Sequence, residues 1–441
     1  PTGSELVDWR STPLADVRPG QVLETNSFVL GKLVEGCGGA YARAAPVADE
    51  TSRIRAAVEA AVAGGCDCVM ILGGSSAGAE DYARAVLQEI GEVLVHGVTI
   101  MPGKPAVVGV VRDTPVFGMP GYPVSAIIVF EQLVRPLLAA LLRQPEPACE
   151  TVTVTPTRKM ASKLGLEEFV RVKLGEVGGR IVATPLPRGA GSITSITEAD
   201  GIVRIPADTE GVNENAPVTA ELLRPASELR RTIVIVGSHD NSLDVLADQL
   251  KAAQAGFTLS SSHVGSMGGL MAIKRGVCHL AGSHLLDPVD GSYNVSYIRK
   301  YLPGCPIKLV HLVYRENGLI VRRGNPKAIH GMQDLARPDV TFINRQGGSG
   351  TRILLDYRLG QLGLEPAAIK GYDAEEFTHM SVAVAVSSGG ADAGLGIYAA
   401  ARALDLDFIP VVTEKYDLVI PAQHFASEPI QALLGIITSA E

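Results

Sequence analysis

The feature that most constrains this chain is an apolar run that hands over to a glycine turn and then to a helix. Residues 66–72 (CDCVMIL) are short, apolar and rich in β-formers, as expected of a strand buried on both faces. Gly73-Gly74-Ser75-Ser76-Ala77-Gly78 follows directly, and residues 82–90 predict a helix with Asp81 at its mouth. This arrangement aims backbone N–H groups and a helix N-terminus at a negative ligand. A second glycine turn, residues 118–123, follows a hairpin predicted from 106–111 and 115–117. It opens a long apolar helix over 124–142, with Ser125 in the first turn, where a hydroxyl either caps the helix or donates to a ligand. Between the two turns lies Pro102-Gly103-Lys104-Pro105, whose lysine can act as a point charge on phosphate. Residues 71–126 therefore predict an anion-binding α/β site.

The rest of the chain supports that site or adds to it. A length of 441 residues predicts roughly three domains. The net charge of −8 gives no general attraction for nucleic acid, so an anionic ligand must be held by local groups. The six cysteines are scattered. Cys66-Asp67-Cys68 is too closely spaced for the usual zinc pattern, and a reducing, cytoplasmic setting is expected. No run of about 18 residues is read as apolar enough to span a membrane. Further helices are predicted at 27–36 and 52–63. The opening Pro1-Thr2-Gly3-Ser4-Glu5-Leu6 reads as the turn after a strand that would lie upstream.

Four of these motifs, in order and spacing, resemble the molybdopterin molybdenumtransferase family (MoeA and gephyrin E-domain). They are Pro1-Thr2-Gly3-x-Glu5-Leu6, Gly73-Gly74-x-Ser76-x-Gly78 with Asp81-Tyr82, Pro102-Gly103-Lys104-Pro105, and Gly121-x-Pro123-Val124-Ser125-Ala126. The resemblance implies a three-layer α/β/α domain over 1–148. It also implies insertion of molybdate (or tungstate) into adenylylated molybdopterin with release of AMP, assisted by Mg2+, and a homodimer when full length. Carried over by position, Glu5, Asp67, Asp81 and Lys104 are implied catalytic residues, with Glu5 and Asp81 on the metal. Gly73, Gly74, Ser76, Gly78, Pro123 and Ser125 are the implied cofactor-binding residues. Departures are Ser4 for an aspartate, Tyr122 for an asparagine, and Gly97 and Met101 where many members carry lysines.

Residues 149–224 alternate as short strands and read as a small all-β domain, similar to the C-terminal β-domain of the family. The resemblance places Arg171 and Ser192 at the edge of the pterin site. From the residues alone, Arg171 could equally be a surface strand arginine. Residues 225–231 (PASELRR) read as a polar linker.

Beyond it, over 232–441, the pattern becomes β-α repeated, and eight of the nine histidines lie here. The segment resembles a two-lobed periplasmic-binding-protein fold. Lobe one is expected at 232–313 and 412–441, and lobe two at 314–411, entered through a hinge near 318–326. Asn344 to Arg352 is similar to the oxyanion-binding turns of molybdate and tungstate receptors. Ser238, Ser266, Ser349, Thr351 and Arg352 are the implied oxyanion-binding residues, each hydroxyl being alternatively a plain helix cap. The whole reads as a transferase with a fused oxyanion or cofactor module. The alternative is a non-catalytic sensor that keeps the fold. Its partners are small molecules, with no nucleic acid and no membrane.

Overall fold

The computed structural model describes residues 1–73, 81–145, 148–253, 256–287 and 289–439. The first domain is built on a four-stranded sheet of β1 (Val69–Leu72), β2 (Glu92–His96), β3 (Val107–Val111) and β4 (Thr114–Met119), in the order β1-β4-β3-β2. β1 runs parallel to β4, and β4-β3-β2 are antiparallel. Its helices are α1 (Asn26–Gly36), α2 (Thr51–Ala63), α3 (Tyr82–Ile90) and α4 (Pro123–Val129). The last continues through a π-turn (Phe130–Val134) into Arg135–Leu141. Alternate side chains of β3 face opposite ways. Leu30, Phe117, Met119 and Phe130 form a core on one face of the sheet, and Ile54, Val58, Val86, Leu87 and Val107 on the other. This is the expected three-layer α/β/α arrangement.

One expectation changes here. Pro123–Leu141 is a 19-residue helix with mean hydropathy 1.7, long and apolar enough to cross a membrane, where no such run was expected. Its buried residues Val129, Phe130 and Val134 belong to the core against β4. Beside β1 there is a cavity of about 630 Å³, lined by Leu30, Val34, Val58, Met70 and Leu138, with Asp67 and Cys68 at its wall.

The second domain contains β5 (Thr151–Pro156), β6 (Glu167–Val177), β7 (Arg180–Pro185), β8 (Gly201–Ile205) and β9 (Val218–Leu222). They pair in the order β7-β5-β9-β8-β6, and a further β6–β7 pairing closes the ring into a barrel. Val170, Val172, Leu174, Ala183, Val203 and Ile205 fill it. Ile100–Met101 of the first domain adds to β6 in parallel, tying the two domains through the backbone.

The third domain begins after residues Ala226–Arg231. These form a 3-10 turn that buries Leu229 to 2% exposure, so the segment read as a linker is packed structure. β10 (Thr232–Gly237) and β11 (Thr258–His263) are parallel, with α5 (Asn241–Ala252) between them and α6 (Gly265–Arg275) after. β12 (Ala281–Ser283) follows. β13 (Ile307–Val321) and β16 (Asp407–Pro421) are 15-residue strands paired antiparallel along their whole length. They run through both lobes. The hinge expected near 318–326 therefore begins inside a continuous strand. The register shifts at His311/Val313 and Asn317/Gly318 mark where the pair bends. β14 (Phe342–Arg345) and β15 (Ala393–Ile397) complete the second lobe, with α7 (Gly350–Leu362) and α8 (His379–Ser387) on its faces.

The barrel is docked on the first lobe. Arg180 Nη2 donates to Arg275 O (2.8 Å) and Gly276 O (3.0 Å), so a barrel cation caps the C-terminal end of α6. A Cβ on Gly175 would lie 2.5 Å from a methyl of Val234, so only glycine lets β6 and β10 come this close.

Candidate functional site

The first candidate site lies at the C-terminal ends of β1 and β4. Thr2 N donates to Leu72 O (2.7 Å), and Gly73 N donates to Met119 O (3.1 Å). The opening motif and the first glycine turn therefore meet. Gly73 has φ +91°, and a Cβ there would sit 2.4 Å from Thr2 O. The second turn faces the first: a Cβ on Gly121 would lie 3.8 Å from Gly73 Cα. Asn26 Nδ2 donates to Gly121 O (2.7 Å) and holds that turn in place. Three of the sequence motifs are thus drawn to one edge by two strands and two turns. Gly74, Ser76 and Gly78 lie outside the described residues.

Glu5 is exposed at this edge, next to Gly3. Asp81 is the N-cap of α3: its Oδ1 accepts from Arg84 N (3.1 Å) and its Oδ2 lies 3.0 Å from His96 Nε2. Lys104 is exposed on the loop that joins β2 to β3, and it makes no ion pair among the described residues. Ser125 is buried, and no side chain caps α4, which starts on Pro123. The capping alternative for Ser125 is therefore removed.

Asp67 is a correction. It precedes β1, whereas Gly73 follows it, and a strand rises about 3.3 Å per residue. The carboxylate is thus roughly 20 Å of chain from the turns, on the wall of the cavity. Burial, then Asp67, push the neighbouring Cys68 thiol up to about 12, which makes it an inert core group. Mg2+ does not fit what is described. No three His, Cys, Asp or Glu side chains converge among the described residues, and both oxygens of Asp81 are engaged within the protein.

The barrel reaches the same edge. Val124 N, at the start of α4, donates to Ala190 O (3.1 Å). Arg171 is 3% exposed, which replaces the surface reading. Its Nη2 donates to Pro187 O (2.9 Å), its Nε is buried without a partner among the described residues, and burial lowers its pKa. Ser192 is exposed, and its hydroxyl shares a hydrogen bond with Thr194 (2.7 Å). The sequence reading also missed a buried network just below the edge, in which Arg43 pairs with Asp8 (2.7 Å) and Glu24 (2.9 Å). Those residues are far apart in sequence and carry no motif.

The second candidate site lies between the lobes of the third domain, where strand ends and helix starts converge. Ser238 Oγ lies 2.8 Å from His284 Nε2. His284 Nδ1 is 3.2 Å from Glu414 Oε1. Arg315 then joins Glu414 (3.0 Å) to Asp240 (2.7 Å). All five are buried. Burial alone would raise Glu414, but His284 and Arg315 hold it well below the usual carboxylate range. The starts of α6 and α7 meet across the cleft, since a Cβ on Gly265 would lie 3.2 Å from Gly348 O.

The predicted hydroxyls divide. Ser349 is a plain N-cap that accepts from Arg352 N (3.2 Å). Ser266 Oγ accepts from His284 N (3.2 Å), and Thr351 Oγ1 accepts from Asn317 Nδ2 (3.4 Å). Arg352 is a correction: it lies 3.9 Å over the Tyr372 ring and pairs with Glu375 (3.3 Å) and Asp356 (3.4 Å). Its charge is already spent on neighbours.

Arg345 takes its place. It is 1% exposed and has no carboxylate within ion-pair distance among the described residues. Its Nε donates to Gln346 Oε1 (3.2 Å) and its Nη2 to Phe377 O (3.1 Å), while Nη1 is buried without a partner. Burial, then Arg315, push its pKa down to about 10. His379 is fully buried with both ring nitrogens unpartnered among the described residues, and burial, then Arg345, holds it neutral. A buried cation and several unpaired donors facing the same interior are costly unless an anion completes them. The glycine-rich phrase after Arg345 was legible as a helix start; which of two arginines turned inward was not.

Known proteins agree with this division. Residues 1–140 match the family described as probable molybdopterin binding domain, 153–223 the MoeA C-terminal region (domain IV), and 247–438 the PBP superfamily domain. The uncharacterized protein YvgK of Bacillus subtilis (strain 168) is 42% identical over 211 residues, 48% of this chain and 68% of that protein. Molybdopterin molybdenumtransferase 2 of Mycobacterium tuberculosis is 30% identical over 216 residues, 47% of this chain and 51% of that protein. A crystal structure of a molybdopterin biosynthesis moeA protein from Pyrococcus horikosii is similar with TM-score 0.43 and 33% identity, covering 51% of this chain and 53% of that one. The chain spans about half the length of these molybdopterin relatives. With these matches in order, the chain carries a molybdopterin-binding domain and a MoeA C-terminal domain of the molybdenumtransferase type, followed by a C-terminal PBP-like domain.

Proposed function

We propose that this chain inserts molybdate, or tungstate, into adenylylated molybdopterin with release of AMP, and that its C-terminal cleft binds the oxyanion. The convergence of Gly73, Gly121, Asp81 and Ser125 on one sheet edge carries the first part. In this reading the turn backbones and the start of α4 hold the phosphate groups. Lys104 supplies the mobile cation, and Asp81 orients the leaving group with His96 beside it. The unpaired guanidinium of Arg345 supports the second part. Incubation of the full chain with adenylylated molybdopterin and molybdate should release AMP. No release with either oxyanion sinks the reading.

A second reading, a non-catalytic oxyanion or cofactor sensor, is favoured by Gly97 and Met101. They leave Lys104 as the one cation on the loop between β2 and β3. Calorimetry separates the two, because a sensor binds molybdate tightly in the cleft and releases no AMP.

A further inference from the structure

Between the two sites runs a single segment of the barrel, Pro185-Leu186-Pro187-Arg188-Gly189-Ala190-Gly191-Ser192. One end touches the first site. Ala190 O accepts from Val124 N (3.1 Å), and a Cβ on Gly191 would lie 3.4 Å from the Tyr122 ring. The other end leaves β7, which packs on β11, the strand that ends at His263 on the rim of the second cleft. From Pro185 to Ala190 is no more than about 18 Å of extended chain.

Three arginines are tied to this segment. Arg158 Nη2 donates to Pro185 O (3.1 Å), Arg171 Nη2 donates to Pro187 O (2.9 Å), and Arg188 pairs with Glu168 (2.9 Å). Glu168 is the one carboxylate paired with any of them among the described residues. Burial, then Arg188, lowers the pKa of Arg158. For Arg171 burial again leads, and Arg188 adds to it against the pull of Glu168. Arg188 therefore lies near both Arg158 and Arg171, with Glu168 the one carboxylate paired to the three among the described residues. Arg158 also lies near enough to His263 to act on it, as Arg345 does from the second lobe. A like-charged cluster of this kind costs stability and is explained when an anion visits it.

We propose that Arg188, Arg171 and Arg158, set along Pro185–Ser192 between the start of α4 and His263, form a path by which an oxyanion held in the C-terminal cleft is passed to the first site. This rests on the reading of both sites given above. The cleft then serves as a supply for the insertion step, and no bond is made or broken on the path. The ion moves between guanidinium groups, each of which can hold it through paired N–H donors.

The full chain tests this by isotope partition. The cleft is loaded with one equivalent of molybdate enriched in one molybdenum isotope. Adenylylated molybdopterin is then added together with a roughly twenty-fold excess of molybdate of a second isotope. A single turnover is stopped, and the metal in the pterin product is read by mass spectrometry. Passage along the path gives product in which the preloaded isotope exceeds its share of total molybdate several-fold. Arg158→Gln brings that ratio to the bulk value, and Arg158→Lys keeps much of the excess, an effect that loss of fold alone does not produce. Normal AMP release with a wild-type product at the bulk ratio overturns the path while leaving the insertion reading intact. Absence of AMP release overturns the insertion reading, and the path falls with it.

Discussion

Gly350, at the start of α7 in one lobe, lies directly over the imidazole of His284 in the other; a Cβ on Gly350 would come 2.4 Å from His284 Cε1. His284 has little room to move, since Ser238 and Glu414 hold it on either side. The closed position of the two lobes therefore depends on the absence of one methyl group. Gly350→Ala should hold the lobes apart, cost about 1–3 kcal/mol in the closed state, and weaken molybdate binding about ten-fold or more. Calorimetry measures the affinity, and small-angle scattering measures the opening. An unchanged affinity would show that the anion does not need the closed cleft.

Arg345 and Glu414 make opposite predictions. Arg345 is a buried cation with no carboxylate partner among the described residues, so Arg345→Gln should leave the melting temperature of the anion-free protein unchanged or raised. It should also remove molybdate binding by at least about 2 kcal/mol, roughly thirty-fold. Glu414→Gln instead strips a charge from Arg315 and His284, and should cost about 3–5 kcal/mol of stability. Thermal melts with and without molybdate read both effects.

His279 sets an acid limit. Val234 N donates to its Nδ1 (2.9 Å), which requires a neutral ring, and burial, then His424, pushes its pKa down to about 4. The unfolded chain takes up this proton near pH 6.5, before the folded one does. The stability is thus complete above about pH 6.5 and is lost as the pH falls toward 4, by up to about 1.4 kcal/mol per pH unit for the one proton. His263, also pushed down to about 4, adds a second proton over the same window. Denaturant unfolding of His279→Gln, whose amide oxygen can accept from Val234, should show a slope lower by about one proton.

The two ends of β1 separate two aspartates. Asp81→Asn keeps an N-cap acceptor for Arg84 N but loses the charge beside His96, and should lower AMP release about ten-fold or more. Asp67→Asn, at the cavity end, should leave AMP release within about two-fold of wild type. Single-turnover assays on the full chain distinguish them. Equal losses would place Asp67 back in the site.

The sequence by itself determined the local units of this protein. The strand before Gly73, the helix after Asp81, the turn at 118–123 and the helix start at Ser349 all follow from short-range rules. Buried strands are apolar, glycines take the turns that other residues cannot, and capping side chains sit where helices begin. Those rules were enough for most of the barrel strands and for the β-α repeat, while the three-layer arrangement followed from the family resemblance. They failed where the answer depended on partners far away in sequence. The pairing of Ile307–Val321 with Asp407–Pro421 carries a continuous strand into what read as a hinge near 318–326. Contacts with Asp356, Glu375 and Tyr372 turned Arg352 away, while Arg345, seven residues earlier, is buried without a counter-ion among the described residues. Asp67 carried the right chemistry at the far end of β1, on the wall of the cavity. Short-range sterics fix secondary structure, but charge neutralisation, burial and strand direction are settled between residues tens to hundreds of positions apart, and for this protein they decided which groups face a ligand.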